Sequence, residues 1–352
     1  MKAFRLQTLP WNVVFGAGKL ASLPGELDLL GFARALVLST PEQEHDAKRI
    51  AKLLGGRAAG IFAEARMHVP VEIAAKAAQA ARDCNADCSV SIGGGSTTGL
   101  GKALALNPGI PLVAIPTTYA GSEMTNIWGM TEDGRKKTGR DLRVLPKLTL
   151  YDAELTLGLP PEIAGPSGMN ALAQATINAK DRRTNPVMMS MALEAIRAIA
   201  AYLPTVVREP ENLDAREQVL YGASLAGAAL GAGVTSLHHR LCHTLGGSFN
   251  APHAETHTIL LPYSVAYAAP AVPDLMAHIA EALGVDDAAQ GIHDLSSGMG
   301  LSTSLRDIGI GKEDLVRIAD IATETAVENP APVTRDGVIE LLQNAYAGTR
   351  PA

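Results

Sequence analysis

Residues 12–151 alternate short apolar runs with longer helical stretches, and beyond Pro160 the strand signals stop. No other feature constrains the fold as strongly. NVVF (12–15), ALVL (35–38), AGIF (59–62), CSVSI (88–92), PLVAIP (111–116) and LTLY (148–151) read as strands, with EQEHDAKRIAKLLG and VEIAAKAAQAARDC as helices between them. Strands that are apolar without interruption are buried on both faces, as in a parallel sheet covered by helices. Ligands of such sheets sit beyond the carboxyl ends of the strands. Further on, PPEIAGPSGMNALAQA, VMMSMALEAIRAIAAYL, LDAREQVLYGASLAGAALGAG and SLHHRLCHTLGG read as helices, several of them apolar almost all round and so suited to burial among other helices. An α/β domain at 1–157 and an all-helical domain at 158–352 are expected, with no internal repeat and no low-complexity segment.

With 47% hydrophobic and 19% charged residues the chain is a well-buried globular protein. Aromatic residues are only 4%, so Ala, Leu, Val and Ile must build the core. A net charge of −6 argues against a nucleic-acid partner, which would require an excess of Lys and Arg. No apolar run of membrane-spanning length is expected, nor a secretory h-region in MKAFRLQTLPWNVVFG, and the cytoplasm is the expected compartment. Cys84, Cys88 and Cys242 are an odd count with neither a disulfide framework nor a zinc-ligand spacing.

Two glycine stretches invite a phosphate reading. FGAGKLA (15–21) gives an isolated G-x-G-x-x-A at Gly16, Gly18 and Ala21, which reads as a turn by the N-terminal strand more readily than as a dinucleotide loop. SIGGGSTTGLGKALAL (91–106) is stronger, because a strand runs through three glycines and a hydroxyl cluster into a helix. Glycines let backbone N–H groups approach a pyrophosphate, and the helix N-terminus adds its dipole. It is not a Walker loop: relative to Lys102, the positions that need Gly and Ser or Thr hold Ser96 and Ala103. His239, His243 and His253 fall within fifteen residues of a chain that has nine histidines, and metal binding, proton handling and packing all stay open for them. RKKTGRDLR (135–143) carries five basic residues in nine, either a solvated hairpin or a cationic patch for an anionic ligand.

GGGSTTGLGKA (93–103), AIPTTYAGSEMT (114–125), KKTGRD (136–141), LYDAELTLGLPP (150–161), SGMNALA (167–173), LHHRLCHTLGGSFNAPHAETH (237–257) and TRDGVIELLQNAY (334–346) together resemble the maleylacetate reductases. These belong to the iron-containing alcohol dehydrogenase superfamily, which also includes glycerol dehydrogenases and dehydroquinate synthases. The resemblance implies a dehydroquinate synthase-like fold, with an NAD(P)-binding α/β domain followed by a helical catalytic domain, and a homodimer. It implies that Gly93, Gly94, Gly95 and Ser96 bind NADH or NADPH, with Thr117 and Thr118 as cofactor-contacting threonines and Lys137 on the cofactor side. The adenosine ribose is expected near Ser39, Thr40 and Pro41; no acidic residue stands there before Glu42, which leaves both cofactors open.

Metal-dependent members of the superfamily use an Asp and a His four apart on one helix and two later histidines. The corresponding positions here are Asn170, Gln174, His239 and His253, while His243 falls at a histidine near the substrate. Two neutral amides are poor ligands, and no metal is expected. The resemblance implies reduction of maleylacetate, a small dicarboxylate, or a close unsaturated oxo-diacid to 3-oxoadipate in aromatic-compound degradation. His243 and His253 are the expected proton-handling groups, with His239 and Lys137 supporting. The altered stretch 174–186 keeps open a non-redox cyclisation or elimination on a related acid, or a silent binding subunit.

Overall fold

The apolar runs become the strands of a single parallel sheet. A computed structural model of the chain describes residues 3–132, 135–233 and 236–352. Thr8–Leu159 form one compact unit, built from β1 (Val13–Phe15), α1 (Leu23–Leu30), β2 (Ala35–Leu38), α2 (Glu44–Leu54), β3 (Ala58–Phe62), α3 (Val71–Asp83), β4 (Cys88–Gly93), α4 (Gly95–Leu106), β5 (Leu112–Pro116), β6 (Ile127–Glu132), β7 (Arg135–Arg140) and β8 (Leu148–Tyr151). Six strands pair in the order β1-β8-β5-β4-β2-β3, all parallel, and β6 pairs with β7 as a separate antiparallel hairpin. The two central strands β4 and β5 are buried at every residue, as their unbroken apolar sequences require. α2 shows the complementary pattern: Ala47, Ile50 and Leu54 are buried, while Glu44 and Lys48 pair at 3.0 Å one turn apart.

The connection after β2 runs outward to β3, and the one after β3 returns to β4 on the other side of β2. The sense in which successive strands are added to the sheet therefore reverses between β2 and β4. The carboxyl ends of strands at such a reversal are the usual ligand position in sheets of this kind.

The second unit comprises Pro160–Ala352 with the N-terminal segment through Gln7. Its helices are α5 (Pro161–Ala179), α6 (Pro186–Arg208), α7 (Leu213–Ala232), α8 (Leu237–Phe249), α9 (His253–Ala268), α10 (Pro273–Leu283), α11 (Ala288–Gly298), α12 (Asp314–Thr323) and α13 (Arg335–Ala347), and no strand occurs in it among the described residues. α5 begins at a proline in the first helical position and is buried at every residue from 164 to 179, with α6, α7 and α9 around it. At Gly168 a Cβ would lie 2.4 Å from the Leu203 side chain, so a larger residue there would force Leu203 of α6 to move. A left-handed Asn250 (φ 53°) ends α8, and Pro252 then starts α9 with His253 as its first residue.

One expectation needs correction. α6 has 23 residues and an 18-residue window of mean hydropathy 1.3, which by length and composition alone would suffice to cross a membrane. Scattered polar residues such as Ser190, Glu194 and Arg197 break every continuous apolar run, yet the surrounding Ala, Ile, Met and Val keep the average high. Met188, Ala192, Ala195, Ile199, Leu203 and Val206 are buried at helical spacing, and Glu194 pairs with Arg197 at 2.6 Å. That is the amphipathic pattern of a helix packed on a bundle, here against α5 and α7.

A buried lysine holds the segment that follows β5. Lys102, on α4, is 1% exposed, and the three N–H groups of its Nζ are shared among the carbonyl oxygens of Ser122 (2.6 Å), Thr125 (2.9 Å) and Ile127 (2.7 Å) and Thr125 Oγ1 (2.9 Å). Glu123, also buried, accepts from the Tyr151 hydroxyl at 2.8 Å. Burial pulls the ammonium down to about 7, with Glu123 opposing, while the four oxygen acceptors favour the charged form. Lys102→Met would leave three carbonyls without that donor. We expect it to lower unfolding stability by more than about 2 kcal/mol, read by chemical denaturation; an unchanged midpoint would show that Lys102 does not anchor the segment.

Candidate active site

Three loops of the α/β unit meet beyond the carboxyl ends of β2, β4 and β5. β4 ends at Gly93, whose φ of +138° and closeness to Gln43 and Thr97 leave no place for a side chain: an added Cβ would lie 2.5 Å from Gln43 Oε1 and 2.8 Å from Thr97 Oγ1. Gly94 caps α4, Gly95 and Ser96 form its first turn, and Thr97 Oγ1 donates to the Gly94 carbonyl at 2.8 Å. From the end of β5, the Thr117 amide donates to the Gly93 carbonyl at 3.0 Å, and the Thr118 side chain would lie 3.1 Å from a Cβ on Gly94. After β2 comes the buried Ser39, then Thr40 and Pro41, which open a short 3-10 turn ending at Gln43. Gln43 Nε2 donates to Thr117 Oγ1 at 3.0 Å and so ties the β2 loop to the β5 loop. Sequence reasoning passed over Gln43, because a lone glutamine in a helix-start segment carries no motif.

The other glycine stretch is already closed by an anion of the chain itself. The amides of Gly18 and Leu20 donate to the Asp152 carboxylate at 3.0 and 2.8 Å, so FGAGKLA is a turn locked onto Asp152. The basic stretch forms β7 and the turn after it. Lys137 is exposed and pairs with Glu132 across the hairpin, and Arg143 pairs with Asp141 at 2.7 Å. Lys137 and Arg143 thus each have a carboxylate partner, while the side chains of Arg135 and Lys136 lie outside the described residues.

In the helical unit the histidines gather on α8 and α9. His239 and His243, one turn apart, have ring centroids 6.3 Å apart; His239 is buried and His243 exposed. His253 is exposed at the start of α9. Two histidines missed in the sequence complete the group. The His257 ring lies 4.5 Å from that of His253, 5.9 Å from that of His239 and 4.9 Å from that of His238. His238 Nε2 is 2.9 Å from His257 Nδ1, and its Nδ1 is 3.0 Å from Ser264 Oγ. The 253/257 spacing of four on one helix was the available signal.

Asn170 and Gln174 sit one turn apart on α5, each 5% exposed. The Asn170 Oδ1 and His239 Nδ1 atoms are buried and make no hydrogen bond among the described residues. Three potential metal-ligand atoms do lie within 4.8 Å of one another, but at His238, Cys242 and His257. There the 2.9 Å N···N separation is shorter than the roughly 3.3 Å edge set by two zinc–imidazole bonds at the tetrahedral angle. Burial also holds the Cys242 thiol well above its ordinary value, so it stays protonated. This trio is a hydrogen-bonded set.

Burial likewise keeps the inner imidazoles neutral. It pulls His239 down to about 3, helped by His243, His253 and Lys180, and pulls His238 and His257 well below their ordinary value. Lys180, just past the end of α5, is fully buried; its Nζ donates to the Ser264 carbonyl at 3.4 Å, and burial lowers it to about 8 against the opposing charge of Asp181.

Comparison with known proteins covers both units. Residues 10–153 match the iron-containing alcohol dehydrogenase family, and residues 165–346 match the Fe-containing alcohol dehydrogenase C-terminal family. The chain is 52% identical to a maleylacetate reductase of Burkholderia cepacia, over 100% of both chains. Among solved structures, the maleylacetate reductase of Agrobacterium tumefaciens superposes with a TM-score of 0.97 at 48% identity, over 100% of both chains. A 1,3-propanediol oxidoreductase gives a TM-score of 0.92 at 26% identity, over 97% of this chain and 100% of that one.

The neutral imidazoles make stability depend on pH. Unfolded, these rings titrate near 6.5; folded, His239 titrates near 3, so protons favour the unfolded state in the interval between. The stabilising contribution is whole above about pH 6.5 and is lost as pH falls toward 3. His239 alone should lower stability by about 2 kcal/mol on going from pH 7 to pH 5, and His238 and His257 act in the same direction. Denaturation midpoints at the two pH values measure this, and equal stability at both would show that the rings titrate in the folded protein as they do in the unfolded chain.

Proposed function

Because the chain belongs to the iron-containing alcohol dehydrogenase family, we propose that it is an NAD(P)H-dependent reductase that converts maleylacetate, or a close unsaturated oxo-diacid, to 3-oxoadipate in aromatic-compound catabolism. The observation that carries this reading is the end-to-end match to maleylacetate reductases. The same reading makes it a cytoplasmic homodimer without nucleic-acid or membrane partners, in keeping with its net charge of −6.

The three loops suit a dinucleotide. Gly93 permits the tight turn, Gly94 leaves its backbone open to a pyrophosphate, and the N-terminus of α4 offers amides and a favourable dipole. When bound, the reduced nicotinamide supplies the hydride for the carbon–carbon double bond conjugated with the ketone. Negative charge then builds on the ketone oxygen, and the enolate must gain a proton at carbon. His243 and His253 are our candidates for stabilising that oxygen and delivering the proton, with His239 and Lys137 in supporting roles.

A tightly held divalent cation does not fit this helical unit. Its ligand positions offer His239, His253 and the amides of Asn170 and Gln174, with no negative charge among them. The charge of the buried Lys180 already acts unfavourably on a cation at His239. No step therefore runs through a metal, and the unpaired Asn170 Oδ1 and His239 Nδ1 are left for water or substrate groups.

The purified protein is expected to consume NADH or NADPH when maleylacetate is added. No consumption at high enzyme concentration would remove the proposal. Gly94→Val separates cofactor binding from folding. Its φ of −86° suits any residue, and a Cβ would need only a small movement of Thr118, 3.1 Å away. The variant should stay folded while NADH affinity falls by more than about tenfold, or 1.4 kcal/mol; undiminished affinity would place the cofactor elsewhere.

A further inference from the structure

His257 is the hub of the histidine cluster, in ring contact with His253 on its own helix and with His239 and His238 on α8. None of the roles assigned above uses it. A hub can hold its neighbours only if its own ring is fixed, and the bonds behind it do this. The Ser264 hydroxyl has one proton, and it donates that proton to the Leu261 carbonyl at 2.9 Å, a group that can only accept. His238 Nδ1, 3.0 Å from Ser264 Oγ, must then be the donor of that pair. A buried neutral imidazole carries a single N–H, so His238 Nε2 is bare. It accepts from His257 Nδ1 at 2.9 Å and lies 3.6 Å from the Cys242 thiol, which can only add a second, weak donor. His257 therefore carries its proton on Nδ1, and its Nε2 is an acceptor that makes no hydrogen bond among the described residues. Turning the His257 ring over would replace Nδ1 by a carbon and break the 2.9 Å bond.

We propose that His257 is a positioning residue of this site, one that the chain Leu261–Ser264–His238 holds in a single tautomer and ring orientation so that it sets the ring of His253. The inference rests on the reductase reading for what His253 does, but its geometric half stands alone. His253 is exposed at the first position of α9. The T-shaped contact of 4.5 Å and 69° to His257 supplies a restraint, and the same His257 ring touches His239 at 75°. Histidines from two helices thus share one fixed reference. The buried Lys180 closes the network from behind, through the backbone carbonyl of the same Ser264.

Two measurements test this. The first is the nitrogen-15 spectrum of the histidine-labelled protein at neutral pH, with His257 assigned from its loss in His257→Asn. We expect a proton on Nδ1 and none on Nε2. A proton on Nε2, or metal-shifted signals for His238 and His257 together, would overturn the inference whether or not the protein turns over maleylacetate. The second is Ser264→Ala, which removes the anchor without adding bulk, alongside Ser264→Thr, which keeps the hydroxyl. In the alanine variant kcat should fall about tenfold with KM for NADH unchanged, alongside the loss of stability that an unpaired buried His238 Nδ1–H brings, and the threonine variant should recover most of the loss in kcat. Equal kcat in Ser264→Ala and the unmodified protein would overturn the positioning role. Lack of turnover in the unmodified protein would instead count against the reductase reading, with the spectrum still deciding the tautomer.

Discussion

Everything in the helical unit depends on α5 having no face toward water. Every residue from 164 to 179 is buried, so each polar group on that helix must find a partner inside the protein. Thr176 and Asn178 bond back to their own helix at 2.8 Å, through the carbonyls of Leu172 and Gln174. Asn170 cannot do the same for its Oδ1, which, like the buried His239 Nδ1 of α8, has no hydrogen-bond partner among the described residues. Neutral amides suit such a position better than a carboxylate would, since an unpaired buried charge is far more expensive than an unpaired dipole. The same dryness keeps His238, His239 and His257 uncharged and the Cys242 thiol protonated. The cluster works by hydrogen-bond direction and ring contact rather than by fixed charge.

The α/β unit solves a different problem by different means. Its three loops must leave backbone amides exposed to an anionic ligand, so they have to be held from below. Lys102 does this for the segment after β5, and the 3.0 Å bond from Gln43 to Thr117 ties in the loop after β2. The charge of Lys102 lies among carbonyls of its own chain, which fixes the loop without offering a cation to solvent.

How much of this was legible in the sequence follows from the range of the forces involved. Strand identity is local: ALVL and LTLY coincide with β2 and β8, because an uninterrupted apolar tetrapeptide between turns has one use in a parallel sheet. The GGGS turn was visible for the same reason, since strand, glycines and helix are contiguous. The anchors were not. Lys102 reaches carbonyls twenty and more residues away, and its sequence context suggested only a failed phosphate motif. His238, His257, Ser264 and Lys180 meet from three helices, and the 238–264 pairing spans twenty-six positions. His239, His243 and His253 attracted notice through their spacing, whereas the neighbour that orients them looked like one more residue of an apolar helix. The reach of α6 was hidden in turn, because isolated charges interrupt a run that its average still contains.

The account stands on the helical unit being a neutral, hydrogen-bonded site in a family named for iron. Elemental analysis of the protein as purified, paired with activity before and after exhaustive chelation, tests that most directly. The account predicts far less than one iron or zinc per chain and undiminished activity after chelation. Near-stoichiometric iron or zinc, lost together with activity, would contradict it and make His239 and His253 ligands with the amides of Asn170 and Gln174 beside them.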